Sequence, residues 1–148
     1  MITLKKMEKR MLRLLKEKDY KFVHELLPRI NEIQFSNKVN GRYGYLIVDE
    51  KEEMVGILLF TILWEKLPFI EHLIIKNDMQ NKGYGTKALK EFEDLMRKEN
   101  YKMVLLSTQV DEKAQFLYRR LGYIDNGSLF FEETPFDQAC ELFLKKKL

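Results

Sequence analysis

Residues 80–86 read Gln80-Asn81-Lys82-Gly83-Tyr84-Gly85-Thr86, a glycine-bearing loop that leads directly into a helix. After the loop, apolar residues recur at helical spacing and charged residues fill the positions between them. The apolar face comprises Ala88, Leu89, Phe92, Leu95 and Met96, and the face predicted to meet water comprises Lys87, Lys90, Glu91, Glu93, Asp94, Arg97 and Lys98. A helix that starts at such a loop points unpaired N–H groups and the positive end of its dipole at it. The stretch therefore predicts a phosphate site.

Two strand-like runs flank this helix, Phe69 to Ile75 before the loop and Met103 to Gln109 after the helix. Both are short and rich in branched residues, so strand, helix and strand predict a right-handed βαβ crossover. Gly83 and Gly85 carry no Cβ, so a ligand can approach the backbone and the chain can adopt dihedral angles closed to other residues. Glycines that serve only a tight turn are the alternative.

The same glycines also satisfy a relaxed dinucleotide-binding fingerprint, Gly83-x-Gly85-x-x-Ala88. In that fold the first glycine follows its strand almost at once, whereas seven residues, Lys76 to Lys82, separate the strand from Gly83 here. The segments upstream also resemble an antiparallel hairpin and not a leading βαβ unit. The loop spacing therefore disfavours a dinucleotide fold.

That hairpin comprises Tyr43 to Val48 and Met54 to Trp64, joined by a charged turn. Gly56 inside its second strand predicts a bulge or a close backbone approach. Beyond the crossover, Asp111 predicts the N-cap of a helix that runs to about Leu121, with a glycine stop. Final strands are predicted over 123–130 and 139–145.

The chain before residue 43 predicts a short edge strand, two helices and a loop. Ile2 to Lys6 is the candidate strand, and apolar residues at helical spacing begin at Met7 and resume after a break near Asp19. Pro28 lacks an N–H, so it either kinks the second helix or opens a third one at its first turn. Asn37 to Gly44 is predicted to be a loop.

Length and composition predict one cytoplasmic domain over residues 1–148. The chain is 45% hydrophobic and 33% charged, as globular proteins are, and no apolar run reaches the ~20 residues of a membrane span. The start of the chain lacks the apolar core of a signal peptide. Cys140 is the only cysteine, which excludes an internal disulfide and suits a reducing compartment.

The net charge of +3 is too small to indicate a nucleic-acid partner, although residues 1–21 hold eight basic and three acidic side chains. A basic amphipathic helix that binds RNA or a membrane is one interpretation, and a solvated helix face is the simpler one. The RNA- or membrane-binding interpretation predicts steeply salt-dependent binding that is abolished by charge reversal at Lys9, Arg13 and Lys16. We expect neither a nucleic-acid nor a membrane partner.

A second motif lies after the crossover, in Ala114-Gln115-Phe116-Leu117-Tyr118-Arg119-Arg120-Leu121-Gly122-Tyr123. It is similar to the Ala-x-x-x-Tyr helix, closed by glycine and an aromatic residue, of the GNAT-type (GCN5-related) N-acetyltransferases. The Gln-x-x-Gly-x-Gly spacing of the loop resembles the pyrophosphate loop of the same superfamily. The resemblance covers roughly residues 43–130. It implies an α/β fold with a mixed sheet of six or seven strands, a splayed central parallel pair and about four helices.

The resemblance further implies acetyl-CoA as co-substrate and no metal. The pantetheine amides would pair with the backbone of Leu73, Ile74 and Ile75, in the cleft between the splayed strands. The pyrophosphate would lie on Gln80, Asn81, Lys82, Gly83, Tyr84, Gly85 and Thr86. Gln80 replaces the more frequent arginine of this loop, which is tolerable where backbone N–H groups make the phosphate contacts. Asp111 stands where many members carry an asparagine that contacts pantetheine; a carboxylate cannot donate as an amide can, and an N-cap role suffices for it.

Acetyl transfer to an amine requires an acid and a base. The departing CoA thiolate, whose thiol has a reference pKa of about 8.5, gains from a proton. Tyr118 is the candidate donor, because the corresponding family tyrosine reaches the sulfur; a tyrosine that only packs is the alternative. Glu71 is the first candidate base, since strand alternation places it on the face of Leu73. His72, on the opposite face, and water are the other candidates.

The expected activity is transfer of an acetyl group to a primary amine of a small molecule or peptide, by direct attack in a ternary complex. A non-catalytic acyl-CoA sensor is the alternative. Acceptor choice is expected to depend on the helices before Tyr43, on Trp64 and on the loop from Phe131 to Asp137. Attraction of a cationic amine is one interpretation of the carboxylates in that loop, and solvated loop charges are the simpler one. The family also suggests a homodimer.

Overall fold

The computed structural model describes residues 9–131 and 138–148 of the chain. Within this part, seven strands form one mixed sheet with strand order β1-β2-β3-β4-β5-β7-β6. The same part of the chain contains four α-helices. The sheet matches the predicted α/β fold. The elements are β1 (Leu12–Leu14), α1 (Tyr20–Leu26), α2 (Glu32–Gly41), β2 (Gly44–Val48), β3 (Met54–Leu63), β4 (Leu67–Ile75), α3 (Tyr84–Lys98), β5 (Met103–Gln109), α4 (Ala114–Arg120), β6 (Ile124–Leu129) and β7 (Glu141–Lys147).

The described chain divides into two compact units. The first takes the chain up to Ile57 together with Ile74–Glu91, and the second takes Leu58–Leu73 and the described residues from Phe92 onward. The strands β3 and β4 and the helix α3 contribute residues to both. Whether residues 1–148 act as a single domain stays a prediction.

In the first unit, the edge strand β1 is held by a side chain as well as by its neighbour. It pairs antiparallel with β2, with Leu12 opposite Ile47. The carboxylate of Glu91, on α3, accepts hydrogen bonds from the N–H groups of Met11 (3.0 Å) and Leu12 (2.7 Å). Glu91 is half-buried and bonded, so its predicted exposure to water is wrong.

Of the two predicted N-terminal helices, the one after the break near Asp19 is confirmed as α1 and the one from Met7 is wrong. The segment predicted as a helix from Met7 contains the strand β1, because Leu12 and Leu14 also alternate with the exposed Arg13 and β2 offers a partner. The chain reaches its first α-helix only at Tyr20. The candidate strand over 2–6 lies outside the described residues.

Pro28 neither kinks a helix nor opens one. It lies in the turn after α1, and α2 begins at Glu32. Asn31 caps that helix, because its side chain accepts from the N–H of Gln34 at 2.8 Å, while the Gln34 side chain accepts from the Asn31 N–H at 3.0 Å. The helix then continues to Gly41, through most of the predicted loop 37–44, and ends at Arg42, whose φ is 62°.

In the second unit, β4 and β5 form the predicted parallel pair. Their register comprises Phe69 opposite Leu105 and Ile70 opposite Leu106. On its other side β5 pairs antiparallel with β7 along its whole length, from Met103 to Gln109. The parallel register of β4 with β5 is short, whereas the antiparallel register of β5 with β7 is long. This difference is expected if β4 and β5 splay apart.

The core of the second unit lies against α3. Phe92 is fully buried, and its ring meets the Phe60 ring edge-on at 5.0 Å between centroids. Leu106 and Leu144, which are paired across β5 and β7, are also buried. The predicted hairpin strands, crossover and final strands are all present, with ends shifted by one or two residues.

Candidate functional site

The loop before α3 has the backbone geometry of an anion site. Asn81 and Gly83 both have left-handed dihedral angles, with φ of 63° and 85°. The N–H of Lys87 bonds the carbonyl of Gly83 at 3.0 Å, so the N–H groups of the preceding helical residues have no partner inside the helix. Left-handed turns that precede a helix form concavities of N–H donors that bind anions. The described geometry therefore fits the predicted phosphate site.

The two glycines of the loop have different constraints. A Cβ on Gly83 would meet nothing within 4 Å, but its φ of 85° is one that other residues rarely adopt. A Cβ on Gly85 would lie 3.8 Å from Cγ1 of Ile75, an ordinary contact. The protein itself therefore requires glycine at 83 for its backbone conformation, whereas it leaves room for a methyl group at 85.

The side chain of Gln80 holds the loop to the end of β4. Its amide nitrogen donates to the carbonyl of Ile75 at 3.0 Å and to Oδ1 of Asn77 at 3.3 Å. The Ile75 carbonyl thereby has one bond and keeps capacity for a second. Gln80 thus has a defined structural role in place of the arginine that is frequent in such loops.

Gly56 allows β3 to approach the end of β4. A Cβ at Gly56 would overlap the carbonyl oxygen of Ile74 and lie 2.8 Å from Cδ1 of Ile75. The N–H of Lys76 bonds the carbonyl of Val55 at 2.8 Å in the same region. The predicted close backbone approach is confirmed, and it sets the position of two residues expected to bind pantetheine.

The remaining loop residues are partly open to solvent. Lys82 is exposed, with Nζ 3.8 Å from Sδ of Met79, and Thr86 is half-buried. Partial burial, and after it the carboxylates of Glu50 and Asp49, raise the pKa of Tyr84 above its usual value. Tyr84 is thus a neutral donor at physiological pH.

Tyr118 lies on α4 and is 8% exposed. Burial, and after it the Glu112 carboxylate, raise the pKa of its hydroxyl to about 12. Its ring meets the Tyr123 ring at 6.1 Å between centroids and 61° between planes. With this raised pKa the phenol is protonated at physiological pH and able to donate.

The two candidate bases are neighbours on β4. Glu71 and His72 are both half-buried, and strand alternation directs them to opposite faces of the sheet. Glu71 shares its face with Leu73, as predicted from the sequence. The choice between them as base remains a proposal.

Asp111 is not the N-cap of the helix that follows it. The helix α4 begins at Ala114, and Asp111 is an exposed residue of the preceding turn. The turn is held instead by Gln115, whose side-chain nitrogen donates to the carbonyls of Val110 (2.7 Å) and Glu112 (2.9 Å). These bonds satisfy carbonyl groups of the turn and not the helix N–H groups from which an N-cap accepts. Lys113 directly precedes α4 and makes no side-chain cap bond, so the helix starts later than predicted and without the predicted cap.

The model of the Acetyltransferase (GNAT) family matches residues 9–123, which include both glycines of the loop and Tyr118. The chain belongs to the GNAT acetyltransferase family. It is accordingly an acyltransferase, and the dinucleotide-fold interpretation of the loop is excluded. No curated protein matches this acetyltransferase in sequence.

Solved structures share the fold of this GNAT protein over nearly its whole length. Ard1 from Thermoplasma volcanium has a TM-score of 0.81 at 14% identity, covering 93% of this chain and 96% of its own. The NatC complex bound to Gag peptide and CoA has a TM-score of 0.75 at 17% identity, covering 93% and 97%. The spermidine/spermine N-acetyltransferase SpeG from Vibrio cholerae has a TM-score of 0.77 at 18% identity, covering 92% and 91%.

Sequence reasoning missed one buried acid of this acetyltransferase. Glu93, predicted to face water, is 2% exposed. Its carboxylate accepts hydrogen bonds from the hydroxyl of Tyr123 (2.8 Å) and from Nζ of Lys146 (2.9 Å). Its position four residues after Leu89 and three before Met96, on the apolar stripe, was the available signal.

Among residues 9–131 and 138–148, no three His, Cys, Asp or Glu side chains are grouped so as to hold a metal ion. In the same part of the chain, no helix combines the length and the apolar composition that a membrane crossing requires.

Proposed function

We propose that the enzyme transfers an acetyl group from acetyl-CoA to a primary amine, which attacks directly in a ternary complex. The observation that carries the proposal is the loop 80–86, where left-handed Asn81 and Gly83 lead into the 15-residue helix α3. Its N–H donors and helix dipole suit a diphosphate, as acetyl-CoA has. We place the reaction in the cytoplasm, because the one cysteine suits a reducing compartment.

In this proposal the co-substrate is held mainly by backbone groups. Leu73, Ile74 and Ile75 would pair with the pantetheine amides, and the pyrophosphate would lie on residues 80–86 from Gln80 to Thr86. Asp111 would at most accept from a pantetheine N–H, because a carboxylate has no donor. No metal enters the mechanism. Since Gln80 is engaged with the Ile75 carbonyl, the loop would meet phosphate through N–H groups and Lys82.

We propose that Tyr118 donates a hydrogen bond to the sulfur as the thiolate develops. With a pKa of about 12, its hydroxyl stays protonated throughout the range in which amines react. The CoA thiol has a pKa of about 8.5, so complete proton transfer from Tyr118 is uphill by roughly 3–4 pKa units, or about 5 kcal/mol. A hydrogen bond that strengthens in the transition state has no such cost, and water can protonate the thiolate afterwards.

Glu71 would accept the proton of the attacking amine, either directly or through water. Its half-buried position on β4, on the same strand face as Leu73, supports this role. His72 and bulk water are retained as the competing bases. We expect Glu71→Gln to lower kcat and to remove the fall in kcat at acid pH if the carboxylate is the base. An unchanged dependence of kcat on pH would favour His72 or water.

The acceptor would be a small polyamine or a peptide amine. Of the proteins similar in fold, one is a spermidine/spermine N-acetyltransferase and another was solved with a peptide and CoA. Neither likeness chooses between the classes, since both are below 20% identity. We therefore propose no single acceptor, and we retain the homodimer expected from the family.

Thermal unfolding with acetyl-CoA, CoA or NADH tests the co-substrate. A ligand at about a hundred times its Kd adds roughly 2.7 kcal/mol to the free energy of unfolding. We expect stabilisation by acetyl-CoA and CoA and none by NADH. CoA release in a panel of spermidine, amino acids and short peptides then tests turnover. Stabilisation without CoA release from any amine, unaffected by Tyr118→Phe, would indicate an acyl-CoA sensor instead.

A further inference from the structure

The turn that ends α4 is a Schellman motif, and its geometry concerns Tyr118. The N–H of Tyr123 bonds the carbonyl of Tyr118 at 3.0 Å, and the N–H of Gly122 bonds the carbonyl of Arg119 at 3.1 Å. Gly122 has a φ of 98°, the left-handed conformation that this motif requires. In this motif the side chains of the two residues joined by the outer hydrogen bond, the one that spans five residues, are commonly in contact. Here those residues are Tyr118 and Tyr123.

The Tyr123 side chain is therefore folded back onto Tyr118. The two rings are 6.1 Å apart at 61°, an edge-to-face arrangement of the favourable kind. Tyr123 is 2% exposed, so its ring has no freedom to move into solvent. Because the two rings are in contact, an interaction that holds the Tyr123 ring in place also restricts the position of the Tyr118 ring.

Two charged side chains provide that constraint. The Tyr123 hydroxyl donates to Oε2 of Glu93 at 2.8 Å, and Nζ of Lys146 donates to Oε1 of the same carboxylate at 2.9 Å. Nζ of Lys146 also lies 5.7 Å from the centroid of the Tyr123 ring. Both carboxylate oxygens are thus engaged, which fixes Glu93 and, through it, the far end of the Tyr123 ring.

These contacts join three elements at one tyrosine. Glu93 lies on α3, Lys146 on β7, and Tyr123 directly before β6. A buried ion pair is weak evidence for stability, since hydrophobic replacements are often as stable. The cluster is better explained by what it holds in place. We propose that Tyr123, Glu93 and Lys146 are positioning residues that fix the Tyr118 ring for acetyl transfer.

This inference rests on the proposed role of Tyr118, and it gives a purpose to the glycine and aromatic residue that close the second motif. The glycine permits the reversal of the chain, and the aromatic ring then contacts the tyrosine five residues earlier. A structural role alone predicts lower stability when the cluster is altered. A positioning role predicts in addition a lower kcat at unchanged KM for acetyl-CoA.

The test uses Tyr123→Phe, which keeps the ring and removes only the hydroxyl, and Glu93→Gln, which keeps an oxygen acceptor. Tyr101→Phe is the matched control, because it removes a tyrosine hydroxyl outside the cluster. CoA release is measured with the best amine of the panel. We expect kcat to fall about tenfold in Tyr123→Phe and less in Glu93→Gln, with the KM for acetyl-CoA unchanged and Tyr101→Phe as active as wild type.

Combination with Tyr118→Phe separates this proposal from the proposed function. If Tyr123 acts through Tyr118, Tyr123→Phe has no further effect in the Tyr118→Phe background. An equal loss of kcat in both backgrounds, an unchanged kcat in Tyr123→Phe, or a change in KM alone would each overturn the positioning role while leaving the proposed function intact. A Tyr118→Phe variant with full activity would overturn the catalytic role itself.

A measurement without turnover completes the test. In protein labelled with ¹³C at tyrosine Cζ, we expect Tyr123→Phe to shift the Tyr118 resonance and to speed the flipping of its ring, and Tyr101→Phe to do neither. An unaltered Tyr118 resonance and flip rate in Tyr123→Phe would show that the cluster does not fix the ring.

Discussion

Gly83 and Gly127 form a matched pair at the scale of single residues. Both have a left-handed φ, 85° and 101°, and a Cβ at either position would meet nothing within 4 Å. Alanine should therefore cost about 1 kcal/mol at each, through backbone strain alone. Only Gly83 lies in the loop before α3. We predict that Gly83→Ala loses most of its stabilisation by acetyl-CoA in thermal unfolding, whereas Gly127→Ala keeps it.

The comparison removes the ambiguity of a single glycine variant. Equal losses of unfolding temperature without ligand show that the two substitutions are matched. If acetyl-CoA then stabilised both variants to the same extent, the loop would not be the site of the diphosphate.

Tyr118→Phe removes the hydroxyl proposed to assist the departing thiolate. Assistance of this kind contributes about 10²-fold or more to a reaction rate. We predict a fall in kcat of roughly that size with little change in the KM for acetyl-CoA, measured by CoA release under saturating amine. A fall confined to kcat/KM through a raised KM would instead indicate a role in binding.

Burial of Tyr118 also makes stability depend on alkaline pH. Its folded pKa of about 12 is above the ordinary value of 10, so the folded state retains a proton that the unfolded state has lost. Stability from this difference is complete below pH 10 and is lost as pH rises toward 12, by up to about 2–3 kcal/mol. We predict that Tyr118→Phe loses less stability than wild type between pH 9 and 11 in urea unfolding. Equal losses would place the hydroxyl in a more solvated environment than the structure shows.

At the scale of elements, Gly56 controls how β3 meets the end of β4. Because a Cβ there would overlap the backbone oxygen of Ile74, Gly56→Ala must displace one strand from the other. We predict a loss of about 1–3 kcal/mol of stability and weaker binding of acetyl-CoA, measured by thermal unfolding with and without ligand. An unchanged ligand shift would show that Ile74 and Ile75 do not bind pantetheine.

Glu91 offers a second element-scale prediction, because one carboxylate accepts from two N–H groups at the start of β1, those of Met11 and Leu12. An amide has one acceptor oxygen, so Glu91→Gln leaves either Met11 or Leu12 without its bond and costs about 1–2 kcal/mol. Faster hydrogen exchange at these two amides, with the exchange of β2 less affected, is the expected signature. Unchanged protection at both would contradict it.

The elements that sequence reasoning located are those whose signals are local. The run Phe69 to Ile75, the amphipathic pattern of α3 and the hairpin around residues 49–53 each contain enough periodicity to predict their type. The strand β1 does not, because three residues fit a helical pattern as well as an alternating one. It forms because β2 and Glu91 supply its partners, and both are distant in sequence.

Among the candidate site residues, the turn and helix start at the loop 80–86 were predictable because glycines and an amphipathic pattern are local signals, whereas the roles of the loop and of Tyr118 stay predictions. The burial of Glu93 was not predictable, because its hydrogen-bond partners are Tyr123 and Lys146, 30 and 53 positions away. Periodicity assigns a carboxylate to solvent unless a partner is known. The predicted N-cap at Asp111 is wrong because residue type alone does not fix where a helix begins: Asp111 lies in the preceding turn, and α4 begins at Ala114.

For the molecule as a whole, the family is identified although the sequence is little similar to those of the solved structures. Solved structures of the same fold are only 14–18% identical, yet they cover more than nine-tenths of the chain. The local signals in this chain were the glycine loop 80–86 and the tyrosine helix closed by Gly122. Both satisfy requirements of backbone geometry that few residue types can meet, whereas the acceptor site has no comparable local constraint.

The two edges of the sheet have a consequence for self-association. At the β1 edge, the Glu91 carboxylate occupies N–H groups and places a negative charge beside any strand that would add there. At the β6 edge, the register with β7 shifts between Asp125 and Ser128 around the left-handed Gly127. Inward charges and bulges are the devices by which proteins prevent edge-to-edge aggregation. Glu91→Gln should accordingly form aggregates during expression before any loss of fold is detected.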